Sequence, residues 1–156
     1  MPFFFKNTIS LLYSILMNEF ITVRSLLEDN KKRLKLKLIC SVNGLNKKII
    51  SAELHRPGLA LAGFTDTFTH NRIQLLGNTE ISYLSNMPEE QLRKSIDKVM
   101  EFEIPVIIVT SKNKIPKYLV QAATRRYVPI ISSPFQTTEF MLLLGDYLQN
   151  TFAAKT

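Results

Sequence analysis

The residues able to do chemistry gather in one stretch, Leu54 to Leu84, which reads LHRPGLALAGFTDTFTHNRIQLLGNTEISYL. It holds Gly58, Gly63 and Gly77, three of the 5 glycines, and His55 and His70, the 2 histidines. Gly58 and Gly63 have the glycine spacing of a phosphate loop, but Phe64-Thr65 stands where Lys-[Ser/Thr] would be. Without that lysine the loop has no cation for the phosphates. His55, Asp66 and His70 are metal-ligand types, yet their spacing matches no metal motif. Asp66 and Glu80 are a carboxylate pair of the kind acid–base catalysis uses, and nothing in the sequence sets their separation. Arg56 and Arg72 suit a phosphate, and glycine backbone permits close approach. The same two arginines can instead brace loops through carbonyls or Glu80. Arg56, Gly58, Gly63, Arg72 and Glu80 are therefore the candidate ligand or interface residues. No catalytic, cofactor-binding or metal-ligating residue is assigned. No G-x-G-x-x-G, G-x-S-x-G or H-E-x-x-H occurs.

The elements around this stretch follow from hydrophobic periodicity. Arg56-Pro57-Gly58 is turn chemistry, since proline fixes φ and glycine permits positive φ. The small apolar run that follows, closed by Gly63, predicts backbone passing close to other backbone. Arg72 to Gly77 predicts a strand ending in a turn, and Thr79 to Asn86 a short helix or turn. Upstream, Thr22 caps a helix whose apolar face is Val23, Leu26 and Leu27. Leu34-Lys35-Leu36-Lys37-Leu38 alternates as a half-buried strand does. Lys48 to Leu54 predicts a second strand, joined to the first as a hairpin across a turn at Val42-Asn43-Gly44. Downstream, Pro88 opens a helix with Leu92, Ile96, Val99 and Met100 on one face. Ile104 to Thr110 is the near-continuous apolar run of a strand covered on both sides. Pro116 to Tyr127 predicts a helix, Val128 to Ile131 a strand, and a last helix carries Phe140, Leu143, Leu144, Tyr147 and Leu148. It starts at Pro134 by capping-box spacing from Ser133, or later, at Thr137. This alternation is that of a single α/β domain with a mixed to mostly parallel sheet flanked by helices.

Bulk properties narrow the classes further. With 156 residues, 46% hydrophobic and 21% charged, the chain is an ordinary globular domain with a core of its own. The single cysteine, Cys40, excludes an intrachain disulfide and reads as a buried structural thiol. Net charge is +7, and about eight of the 20 Lys and Arg residues lie between Arg24 and Lys48. No stacking aromatics are interleaved there, which argues against nucleic acid. A solvated face or an acidic partner remains. Residues 1–16 form an apolar leader too short and interrupted to span a membrane.

The central stretch resembles the N-terminal domain of HPr kinase/phosphorylase, the bacterial serine kinase acting on the phosphocarrier HPr. The matching residues are Leu54, Arg56 through Phe64, Arg72-Ile73-Gln74, Leu76-Gly77, Thr79-Glu80 and Ser82-Tyr83-Leu84. Ile104 to Thr110 and Thr137-Thr138-Glu139-Phe140 follow in the family's order, and the resemblance covers roughly Phe20 to Leu148. His55 departs from the family's usual Asn, and residues 1–16 have no counterpart. The resemblance implies a fold similar to the N-terminal domain of Mur ligases. It implies a non-catalytic structural or regulatory role, with residues 17–150 as the domain and 151–156 leading into a catalytic domain beyond Thr156. It also implies that ATP or pyrophosphate and magnesium serve that catalytic domain. Implied partners are the catalytic domain, sister subunits of a hexamer and HPr, in the cytoplasm, with no membrane or nucleic acid. The alternative is a stand-alone module sensing a phosphometabolite or nucleotide, or binding a protein.

Overall fold

The computed structural model describes residues 19–155, together with Ile9 and Leu12. The expectation for the apolar leader therefore lies outside the described residues. Among the described residues seven strands and six α-helices follow in order, with a 3-10 turn at Val42–Gly44 between the second and third strands. They are β1 (Ile21–Thr22), α1 (Val23–Asn30), β2 (Lys37–Cys40), β3 (Lys48–Ile49), β4 (Leu54–His55), α2 (Gly58–Leu61), β5 (Ile73–Leu76), α3 (Asn78–Ser85), α4 (Glu89–Met100), β6 (Ile107–Val109), α5 (Lys117–Arg125), β7 (Ile130–Ser132) and α6 (Thr137–Lys155).

The main sheet has the order β2-β7-β6-β5-β4. β4, β5, β6 and β7 run parallel, and β2 lies antiparallel against β7. Helices cover both faces, which explains why the strands are apolar without alternation. Ile73 and Leu75 of β5, Ile108 of β6 and Ile131 of β7 pack with Leu26 of α1 and with Phe140, Leu144 and Leu148 of α6. Leu76, Ile107, Val109 and Ile130 point the other way, into Leu84, Ile96, Val99, Leu119 and Ala123 of α3, α4 and α5. Burying each such Leu or Ile is worth about 1.5–3 kcal/mol. The mixed, mostly parallel sheet between helices is the predicted α/β architecture.

Several local readings hold in detail. Thr22 Oγ1 accepts the Ser25 amide at 3.1 Å and Ser25 Oγ accepts the Thr22 amide at 3.2 Å, a reciprocal cap for α1. The buried face of α4 is Leu92, Ile96, Val99 and Met100. The later of the two expected starts for α6 is the one observed. Ser133 is occupied instead: its hydroxyl donates to the Leu34 carbonyl at 2.8 Å and accepts the Phe135 amide at 3.3 Å.

The predicted hairpin is not formed. Lys48–Ile49 pairs with Ile21–Thr22 in a small separate sheet, while Leu54–His55 joins β5 in parallel. The strand expected at Leu34–Leu38 is displaced to Lys37–Cys40. Leu34 and Leu36 are buried, as the alternation requires, but their amides donate to the Asn30 and Lys31 carbonyls at the end of α1. Lys35 between them adopts φ +50°. The alternation thus records a helix-terminating turn with two apolar anchors. Cys40 is half-buried rather than buried, beside the Val128 carbonyl.

Candidate functional site

Arg56 and Glu80, 24 residues apart, meet where the parallel strands end. β4 delivers Arg56 at its carboxyl end, and β5 delivers Gly77, after which α3 begins. Glu80 lies in the first turn of α3 and folds back over it. Its Oε1 accepts the Gly77 amide at 2.7 Å. The same oxygen accepts Arg56 Nη2 at 2.7 Å and Nε at 3.2 Å, and Oε2 accepts Nη2 at 3.1 Å. The Glu80 side chain is only 5% exposed and that of Arg56 38%. Charge-assisted bonds of this kind are among the stronger ones available to a side chain.

The close approach expected along Arg56 to Phe64 occurs elsewhere. A Cβ on Gly58 or Gly63 would meet nothing within 4 Å. Gly58 opens the short helix α2, and Gly63 is needed for its φ of +104°. Within Leu54–Leu84 the tight glycine is Gly77, where a Cβ would lie 2.5 Å from Thr137 Oγ1 and 2.8 Å from Arg56 Nη2. Thr137 Oγ1 is also 2.8 Å from Thr110 Oγ1. The carboxyl ends of β4, β5 and β6 and the start of α6 are therefore clasped at one point.

The other candidates separate. Arg72 does not join the clasp, because its guanidinium pairs with Glu53 at 2.7 Å. His55 and His70 flank the Phe68 ring, with centroids 5.7 and 6.1 Å from it. Burial lowers the His55 pKa below its ordinary 6.5, and the Arg72 charge lowers it further. His70 Nδ1 lies 2.7 Å from the Glu103 carbonyl. No group of three metal-ligating side chains converges among the described residues. Glu80 is engaged by Arg56 and Gly77, which gives it no role as a partner for Asp66.

Beside the clasp lies a feature that no sequence motif marks. An open cleft of about 590 Å³ is lined by Asn78, Ser111, Lys112, Pro134, Gln136, Thr137 and Thr138. It sits outside the carboxyl ends of β5, β6 and β7, the edge where open α/β sheets place ligands. Ser111 and Lys112 turn the chain there with φ of +61° and +56°. The only signal in the sequence was position: Thr110-Ser111-Lys112 directly follows the most apolar strand.

A match to the family described as HPr Serine kinase N terminus spans residues 21–148. The chain belongs to that family. Curated relatives include the HPr kinase/phosphorylase of Chlorobium limicola, 42% identical over 120 residues, covering 77% of this chain and 36% of the relative. That of Prosthecochloris aestuarii is 38% identical over 135 residues, covering 85% and 40%. The HPr serine kinase N-terminal domain seen here thus spans between a third and two fifths of the curated relatives' length. Among solved structures, the CBS and DRTGG domains of the regulatory region of Clostridium perfringens pyrophosphatase, complexed with the activator diadenosine tetraphosphate, superpose with a TM-score of 0.54. That alignment covers 79% of this chain and 47% of the other at 10% identity, and shows the fold alone. Among the described residues no helix is long and apolar enough to cross a membrane.

Proposed function

We propose that this domain is the structural and regulatory unit of a bacterial HPr kinase/phosphorylase, packing within its oligomer and modulating its catalytic domain. The parent enzyme would phosphorylate and dephosphorylate a serine of HPr in carbon catabolite control, in the cytoplasm. ATP or pyrophosphate and magnesium would be used by a catalytic domain following residues 17–150, with 151–156 as the lead into it. The carrying observation is the family match over residues 21–148, in a chain without a phosphate loop. Phosphoryl transfer needs phosphate-cradling backbone, a cation and a positioned base. At Gly58–Gly63 the cradle is replaced by the short helix α2.

The expected result is that the 156 residues alone transfer no phosphate from ATP to HPr, and that they sediment as more than a monomer. Transfer by this chain, or a monomer at all concentrations, would count against the corresponding part of the proposal. A sensing role through Arg56 and Arg72 is disfavoured, because both guanidinium groups are paired within the domain.

A further inference from the structure

We propose that the cleft walled by Asn78, Ser111, Lys112, Gln136 and Thr138 is a binding site for the phosphate group of a small phosphorylated molecule. Among the described residues, five cations of the domain are held in ion pairs. Arg56 is held by Glu80, Arg72 by Glu53, Lys47 by Glu103, Arg93 by Glu89 and Lys94 by Glu90. Lys112 is exposed, and among the described residues it has no ion-pair partner. Among the described residues it is the one charged side chain lining the cleft. The rest of the lining is amide and hydroxyl, apart from Pro134, and such groups can donate to phosphate oxygens. The nearest carboxylate in sequence, Glu139, is exposed and outside the lining.

Position and size agree with this chemistry. The cleft lies at the strand ends where open α/β sheets bind ligands, and about 590 Å³ accommodates a small metabolite. Its floor is fixed. Thr137 is bonded to Thr110 at 2.8 Å, and Asn113 donates to Asn78 Oδ1 at 2.8 Å. The cationic character continues beyond one wall, where Lys37 of the edge strand lies opposite Ser132 at the end of β7. Phosphate is favoured over carboxylate because the lining supplies several separated donors rather than one planar fork.

The test is an amide-resolved NMR titration of the 156-residue chain with three probes: inorganic phosphate, a sugar monophosphate and a nucleoside diphosphate. Saturable shifts at Asn78, Ser111, Lys112 and Thr138 are expected with at least one probe. Comparing the three separates recognition of phosphate alone from recognition of a sugar or a base. Lys112→Gln should weaken binding about tenfold, the cost of one charge-assisted contact, while Lys112→Arg should retain it. Thr138→Glu suits the first turn of α6 and should abolish binding without unfolding the chain. Lys114→Gln, at an exposed position outside the lining, should bind as the parent does. The proposal is overturned by the absence of saturable shifts with all three probes. It is equally overturned by Lys112→Gln binding like the parent, or by shifts confined to Lys31–Lys37. None of these outcomes bears on HPr transfer or sedimentation, so the two proposals fail separately.

Discussion

The carboxyl edge of the sheet holds two neighbouring regions built from similar residues and put to opposite use. At the clasp, a guanidinium, a carboxylate and a glycine amide bond to one another, so the Arg56 charge is met by a buried carboxylate. In the adjoining cleft Lys112 is exposed and, among the described residues, has no ion-pair partner, and hydroxyls and amides stand around an opening. Residue type and proximity to glycine do not distinguish the two. What distinguishes them is whether the fold supplies a counter-charge, and at Glu80 it does so from within the first turn of a helix.

Mutations can break this contrast, and the largest effect should come from Glu80→Ala. It leaves the buried Gly77 amide and the partly buried Arg56 without a partner, which should cost about 3 kcal/mol in urea-induced unfolding. An unchanged midpoint would mean the clasp is ornamental. Next is Gly77→Ala, whose methyl would press on Thr137 Oγ1 and Arg56 Nη2. We expect about 2 kcal/mol from overpacking, with part of it recovered in the double variant that also carries Thr137→Ala. Gly63→Ala should cost about 1 kcal/mol because of its positive φ, whereas Gly58→Ala should be neutral or slightly stabilising. Equal effects at the two glycines would remove the distinction between them. Arg72→Ala should cost less than about 1 kcal/mol, since its partner Glu53 is 62% exposed.

The smallest effect is one of pH. His55 has a lowered pKa in the folded state, so the unfolded chain binds more protons just below 6.5. Its contribution to stability is whole above pH 6.5 and is lost as the pH falls through the lower folded value. His55→Asn should flatten that part of the stability profile, measured by thermal melts across the window. A profile that keeps its slope in the variant would assign the proton to another group.

The half of the chain from Ile73 onward was legible because its units are local. β5, α3, α4, β6, α5, β7 and α6 each carry their own periodicity, and consecutive strands pair. The first half was misread where pairing is distant. Lys37–Cys40 bonds to the far end of the chain, and Lys48–Ile49 bonds back across α1 to Ile21–Thr22. Alternation at Leu34 and Leu36 reports burial, which a turn satisfies as well as a strand. Of the site, the ion pair at Glu80 was readable as one of two uses for Arg56. The cleft was not readable, since Asn78, Lys112 and Thr138 come from three segments and converge only through strand order.

The edge strand β2 also sets a timetable. The Leu34 carbonyl waits for the hydroxyl of Ser133, 99 residues later, and Lys37–Cys40 waits for Ile130–Ser132. Closing so long a loop is slow relative to local helix formation. During synthesis the strand Lys37–Cys40 therefore has no ladder partner until Ile130–Ser132 has emerged, and its lysine is the residue type that discourages wrong strand partners meanwhile. Pulse-labelled hydrogen exchange during refolding should show the β2 amides protected last, after those of β5 and β6; early protection of β2 would reverse that order.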